Sequence, residues 1–227
     1  MKRFYREATL GEGFGVLLDG RAVRTQGGRP QVMPARALGE ALVAEWADQG
    51  ETIDTTRFVC RDLTDYAIDV IAPDPAATVA ALAAYAETDT LCYRAEADAP
   101  IAQRQHAIWD PLVLAAETRL GVRFVRVAGI MPRPQPPETI ATIAAHCATL
   151  DPFALSALRT LAGLAASLIV GLAALEPGAD LPALWDAANL EEDWQAELWG
   201  KDPEAEARRA YRRAQFLAAA RFAALAR

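Results

Sequence analysis

Residues 160–175 read Thr-Leu-Ala-Gly-Leu-Ala-Ala-Ser-Leu-Ile-Val-Gly-Leu-Ala-Ala-Leu, sixteen uncharged residues bounded by Arg159 and Glu176. A membrane-spanning helix needs about twenty such residues. The small residues Ala162, Gly163, Ala165, Ala166 and Gly171 suit either a close contact between membrane helices or close packing in a protein core. Length decides between them. The run predicts a buried central helix, continuous with the stretch from Pro152, and no membrane insertion.

Working outward, the punctuation on either side is regular. Asp-Pro occurs at Asp74-Pro75, Asp110-Pro111, Asp151-Pro152 and Asp202-Pro203, each time before an alanine-rich run. Aspartate accepts the free N–H groups of a first helical turn, and proline at the next position has no N–H to lose. The four pairs predict four helix starts. Val122–Val127 alternates and predicts one strand, and Pro132–Pro137 predicts a stiff, extended connector.

The N-terminal stretch has a different period. Val16-Leu17-Leu18, Asp19-Gly20 and Arg21-Ala22-Val23-Arg24 predict a hairpin with a type I′ turn. Phe4–Thr9 and Gln31–Met33 are flanking strand candidates. From Ala35 the apolar positions Leu38, Leu42, Val43 and Trp46 fall at helical spacing and stop before Gly50, and a second helix is expected over Arg61–Ile71. The expected fold is α+β, mostly α: a small N-terminal β-rich domain over residues 1–73 and a larger α-helical domain over 74–227. No repeat of fixed period is present.

Composition narrows the function. Of 227 residues, 52% are hydrophobic, fifty are alanine and 21 of the 23 basic residues are arginine, which excludes disordered and fibrous classes and favours helix. The net charge of −7 argues against a general nucleic-acid binder. Cys60, Cys92 and Cys147 have neither disulfide-framework nor zinc spacing, so a reducing compartment is the simpler reading. Met1–Glu7 lacks the apolar core of a secretory signal.

Enzyme motifs are scarce. Gly11-Glu12-Gly13-Phe14-Gly15 leads into a strand, whereas a dinucleotide loop opens onto a helix, so a glycine-rich turn is expected. Ser156 and Ser167 lie in the apolar helix and are expected to bond its own carbonyls. His146 and Cys147 are neighbours on a helix and point about 100° apart, which excludes a dyad. His106 and Asp110 share a face but lack further ligands for a metal. Glu87 and Cys92 could pass for catalytic groups, yet Arg94 beside them suggests an ion-paired structural turn. No cofactor is implied.

One region is unusual. Between Glu176 and Gly200 lie seven acids, no basic residue and three tryptophans, Trp185, Trp194 and Trp199. Lys201–Arg227 then carries seven basic residues and three acids. Aromatics among charges suit a protein-binding surface. Equally, the tryptophans could fill the core while the opposite charges pair internally, Glu191 or Glu192 with Arg208, Arg209, Arg212 or Arg213.

Several segments carry a resemblance. Lys2-Arg3-Phe4, Leu18-Asp19-Gly20-Arg21, Glu45-Trp46, Tyr85-Ala86-Glu87-Thr88-Asp89-Thr90-Leu91-Cys92-Tyr93-Arg94, Trp109-Asp110-Pro111-Leu112, Leu190-Glu191-Glu192-Asp193-Trp194-Gln195 and Trp199-Gly200 resemble, in order, the assembly-chaperone family of the F(1) ATP synthase alpha subunit. Arg61-Asp62-Leu63-Thr64-Asp65-Tyr66 departs from the resemblance by its charge. The resemblance implies a β-rich domain followed by a helical one. It also implies a non-enzymatic bacterial cytoplasmic chaperone, in a family with mitochondrial members, that binds the free alpha subunit until the beta subunit replaces it. Glu191, Glu192, Gln195 and Trp199 are the implied partner-binding residues, the first, third and fourth on one helical stripe. The competing readings are a small-molecule enzyme using Glu87/Asp89 or Glu191/Glu192/Asp193 as acid and base, and a generic helical interaction scaffold.

Overall fold

The computed structural model describes residues 1–129, 131 and 133–227. They form two compact units. The first comprises Met1–Pro75, Asp151–Ala157 and Ala218–Arg227, and the second comprises Ala76–Leu150 and Leu158–Leu217. The fold is α+β and mostly α, with its three-stranded sheet near the N-terminus.

In the first unit β1 (Ala8–Leu10), β2 (Val16–Leu18) and β3 (Arg21–Ala22) pair antiparallel in that order. Asp19 and Gly20 have φ of 48° and 78°, the two positive values that a type I′ turn requires. The Asp19 carboxylate accepts hydrogen bonds from the backbone N–H of Arg6 at 3.0 Å and Glu7 at 2.9 Å. Those donors are then spent, so the strand expected over Phe4–Thr9 begins only at Ala8. Gly11–Gly15 makes a short 3₁₀ turn, Glu12–Phe14, that feeds β2.

Helix α1 (Arg36–Ala47) buries Leu38, Gly39, Leu42 and Trp46. A Cβ at Gly39 would lie 2.3 Å from the Phe14 carbonyl oxygen, so the close approach of helix and turn requires glycine. Helix α2 (Val59–Tyr66) continues through a π-turn to Ile71. The Glu45 carboxylate receives the Cys60 and Arg61 N–H groups at the start of α2, at 2.6 and 2.9 Å. Its desolvation raises its pKa despite those bonds.

The charged α2 segment has a clear structural use. Asp62, Asp65 and Asp69 share one helix face, and they bind Gln26, Gln31, Thr25 and Gly27 of the loop after β3. Gln31 Nε2 donates to Asp65 at 2.9 Å, and the Met33 N–H donates to the Gly13 carbonyl. Gln31–Met33 is therefore a tethered loop and forms no strand.

The second unit follows α3 (Pro75–Glu87) with β4 (Tyr93–Arg94), α4 (Ala102–Leu120), β5 (Val127–Ala128) and α5 (Pro137–Ala148). β4 and β5 pair in parallel. The strand expected over Val122–Val127 shrinks to β5 because side chains take the backbone groups: Glu117 accepts the Phe124 N–H at 2.8 Å, and Gln135 bonds both the N–H and C=O of Val125. Pro132, first residue of the expected connector, lies outside the described residues.

Three of the four Asp-Pro pairs stand at helix starts: Pro75 for α3, Pro152 for α6 (Pro152–Ala165) and Pro203 for α10 (Pro203–Leu225). Asp110-Pro111 lies inside α4. An interior proline costs about 3 kcal/mol through its missing N–H and its clash with the preceding turn. The Asp110 carboxylate is engaged by Arg94 at 2.8 Å and by His106 at 3.0 Å, and caps no helix.

The apolar run is the largest correction. It forms two helices, α6 and α7 (Leu168–Ala174), separated at Ala166, whose φ is +48°. That conformation costs a non-glycine residue about 1–2 kcal/mol. Asp89, fully buried, supplies the compensation: it accepts from the Ser167 hydroxyl at 2.7 Å and the Ile169 N–H at 2.9 Å. Thr90 donates to the Ala166 carbonyl, and the Ser167 hydroxyl caps the Val170 N–H at 3.1 Å. Ser167 thus starts a helix where one continuous helix was expected. Ser156 donates to the Leu63 carbonyl at 2.9 Å. Among the described residues no single helix is long and apolar enough to cross a membrane.

Candidate functional site

Two helices carry the acidic tryptophan region, α8 (Leu181–Ala188) and α9 (Leu190–Trp199). The three tryptophans part company. Trp185 is fully buried, 5.5 Å from Phe216. Trp194 is half-buried beneath the Arg104 guanidinium at 4.6 Å, and Trp199 is 79% exposed. Burial of an indole removes a large apolar area from water. Trp185 therefore serves the core, while Trp199 leaves that area on the surface.

Helix α9 is moored from one side by α4. Gln105 Nε2 donates to Glu191 at 2.8 Å, and Arg104 Nη1 donates to both oxygens of Glu197, at 2.8 and 2.9 Å. Gln105 is itself fully buried, accepting the Ala95 N–H on its side-chain oxygen and the Arg94 guanidinium on its carbonyl. The two segments of the resemblance, Tyr85–Arg94 and Leu190–Gln195, are thus joined through one glutamine. Neither Arg104 nor Gln105 is singled out by the sequence. Their partners lie 86–93 positions away, and no local spacing signals such a contact.

From the other side α10 supplies arginines. Arg209 pairs with Asp193, and Arg212 lies 3.6 Å from Glu192 while donating to the Leu164 carbonyl at 2.7 Å. The Glu192 pair is solvated on both partners, so it contributes about 0–1 kcal/mol. Between α9 and α10 lies an open groove of about 420 Å³, lined by Glu192, Gln195, Trp199, Lys201, Arg208 and Arg212 among others. Of the four residues singled out in the sequence, Glu192, Gln195 and Trp199 line this groove, and Glu191 is bonded to α4. Leu198 of α9 and Tyr211 of α10 are also exposed, 56% and 58%, but do not line the groove.

The turn that shapes the groove rests on Gly200, with φ 91° and ψ 168°. That region of backbone space is essentially restricted to glycine.

Of the first pair of carboxylates considered for acid–base work, Asp89 is committed to structure and Glu87 lies apart from it at the surface. Asp89 is sealed among donors from Leu91, Ser167 and Ile169, and burial pushes its pKa up to about 6. Glu87 is exposed at the end of α3, and the Arg94 ion pair is with Asp110. Burial pushes the Cys92 thiol up to about 12, which keeps it protonated and unreactive at neutral pH. Among the described residues no group of three or more His, Cys, Asp or Glu is placed to hold a metal. The groove offers a pattern of fixed charges around an exposed indole.

Comparison with known proteins gives a consistent result. The family model for the ATP12 chaperone protein matches residues 2–117. The crystal structure of Atp12 from Paracoccus denitrificans superposes with a TM-score of 0.91 at 38% identity, covering 100% of this chain and 98% of that one. A mutant of the same Atp12p gives the same values. A protein from Agrobacterium tumefaciens has a TM-score of 0.91 at 39% identity, with 98% of this chain and 85% of the other covered.

Proposed function

This chain belongs to the ATP12 chaperone family, and we propose that its client is the free alpha subunit of the F(1) ATP synthase, held soluble in the bacterial cytoplasm until the beta subunit replaces it. An unassembled subunit exposes the apolar surface meant for its neighbour, and such surface aggregates. A partner that covers it reversibly lowers the concentration of the aggregating species by mass action.

The observation that carries this reading is Trp199: a large indole, 79% exposed, at the end of an acidic helix and on the rim of the groove between α9 and α10. An aromatic anchor in such a place supplies affinity on burial, and Glu192, about two turns back along α9, steers a basic partner surface and fixes register. Neither role calls for a nucleotide or a metal.

The test is to dilute denatured alpha subunit into buffer with this chain and follow light scattering. Suppression of aggregation, a co-eluting complex, and release of the alpha subunit on adding beta subunit support the proposal. Aggregation at the rate seen without the chain overturns it.

A further inference from the structure

The first unit carries a second groove, larger than the one on α9. It measures about 550 Å³ and lies between Phe4–Tyr5 and the Arg21–Arg24 edge of the hairpin, with Trp46 as its floor. Three features describe what would fill it.

The first is an aromatic wall whose outer ring, Phe4, is open to solvent while Tyr5 and Trp46 are buried behind it. Phe4 is 63% exposed and meets Tyr5 edge-on at 5.4 Å; Tyr5 meets Trp46 edge-on at 5.5 Å. The Tyr5 hydroxyl donates to the Trp46 carbonyl at 2.6 Å, so the wall is fixed in place before any partner arrives. Trp46 Nε1 is buried without a hydrogen-bond partner among the described residues.

The second is a free backbone edge. β3 is the outer strand in the order β1-β2-β3, and the pairs Leu17↔Ala22 and Leu18↔Arg21 set its register. The Val23 N–H donates to Val16 across the sheet at 2.9 Å. Ala22 lies between two such bonded positions, so its N–H and C=O point away from β2, toward the open side. An exposed edge of this kind adds a further extended chain by main-chain hydrogen bonding.

The third is charge. Residues 1–36 hold seven basic residues and three acids, in a chain whose net charge is −7. Around the groove Arg21 is exposed with no carboxylate partner among the described residues, and the Arg24 guanidinium bonds only the Gly28 carbonyl. Asp19 also lines the groove, but its oxygens are spent on the Arg6 and Glu7 N–H groups.

We propose that this groove docks an extended acidic segment of a partner protein, which adds a strand to β3 and places an aromatic or large aliphatic side chain against Phe4 and the narrow margins of Tyr5 and Trp46 that line the groove. A peptide satisfies all three features at once. A polynucleotide would meet the net negative charge of the whole chain and offers no strand to the β3 edge. The site is distinct from the α9–α10 groove, so the proposal stands whether or not the alpha subunit is the client.

The probe is a fluorescein-labelled peptide, Asp-Glu-Val-Phe-Val-Asp-Glu, titrated with the full-length chain at low salt and followed by fluorescence anisotropy. Its charge-reversed counterpart, Lys-Lys-Val-Phe-Val-Lys-Lys, is the control. Saturable binding of the acidic peptide is expected, weakened about tenfold or more by Arg21→Glu and by salt. Ala22→Pro removes the outward N–H and is expected to weaken binding comparably while Trp199→Ala leaves it unchanged. Arg21 is fully at the surface, so Arg21→Glu carries the test even if Ala22→Pro lowers the melting temperature. Equal binding of the two peptides, or affinity indifferent to Arg21→Glu, overturns the proposal. A concentration-dependent dimer in sedimentation that Arg21→Glu abolishes would assign the groove to a second copy of this chain instead.

Discussion

Tyr85–Arg94 and Leu190–Gly200 are both rich in acids and aromatics, and in sequence they look alike. The structure uses them oppositely. In the first, Asp89 is fully buried and receives donors from Leu91, Ser167 and Ile169, while Arg94 is buried over the Trp109 ring and bonded to Gln105 and Asp110. In the second, Glu191, Asp193 and Glu197 reach neighbouring helices, and Trp199 is left in solvent. Polar groups inside a fold have to be satisfied, so the first segment specifies structure. The second leaves an indole in solvent and ties its acids to neighbouring helices, so it shapes the rim of the α9–α10 groove.

The sharpest way to break this contrast is Asp89→Ala. It strips the carboxylate from several buried donors at once, and each orphaned group costs about 1–3 kcal/mol. A loss of about 3 kcal/mol or more in urea unfolding is expected; a loss below about 1 kcal/mol would place Asp89 among the dispensable acids. Trp46→Ala in the first unit is expected to cost about 3–5 kcal/mol, because it removes a buried ring packed on Tyr5 and Phe58.

Next in size is a pH effect at the same carboxylate. Burial raises the folded-state pKa of Asp89 from 3.8 to about 6, so the folded chain binds this proton more tightly than the unfolded chain. Its stabilising contribution is complete below about pH 4 and is lost as pH rises through about 6. Relative to Asp89→Asn, which cannot titrate, the native chain is expected to lose stability between those values and run parallel above them. A constant difference across the range would remove desolvation as the governing cause.

Gly200→Ala should cost about 1–3 kcal/mol through its backbone conformation alone, since no atom stands within 4 Å of the added Cβ. Smallest in stability, and most telling about function, are Trp199→Ala and Glu192→Lys. Surface changes of this kind move stability by within about 0.5 kcal/mol. Both variants are expected to unfold as the native chain does and yet fail to keep the alpha subunit soluble. If both protect it fully, the α9–α10 groove is not the contact surface. If function falls only in step with stability, the Glu192–Arg212 pair is structural.

Residue types and spacing made part of this legible. Asp19-Gly20 specified its turn, since both positive φ values are a local property of those two residues. Asp151-Pro152 specified a helix start, since Asp151 reaches the N–H groups of Phe153 and Ala154, two and three positions on. The helical spacing of Leu38, Leu42 and Trp46 specified the buried face of α1. On α9, the same spacing grouped the candidate residues, though it could not tell that Glu191 is tied to Gln105 while Glu192 faces the groove.

What tertiary structure alone decided has a common cause. Asp110-Pro111 carries the same signal as Asp151-Pro152, but Arg94 claims its carboxylate from 16 positions away, so α4 runs through it. The uncharged run 160–175 has every local attribute of one helix, and Asp89 breaks it from 78 and 80 positions away by binding Ser167 and Ile169. Trp185 and Trp199 share one composition, yet one fills the core and the other meets water. Turns and caps are settled within a few residues because their donors and acceptors lie within a few residues. Burial and the pairing of charges are settled by which distant segments arrive, and sequence spacing carries no measure of that.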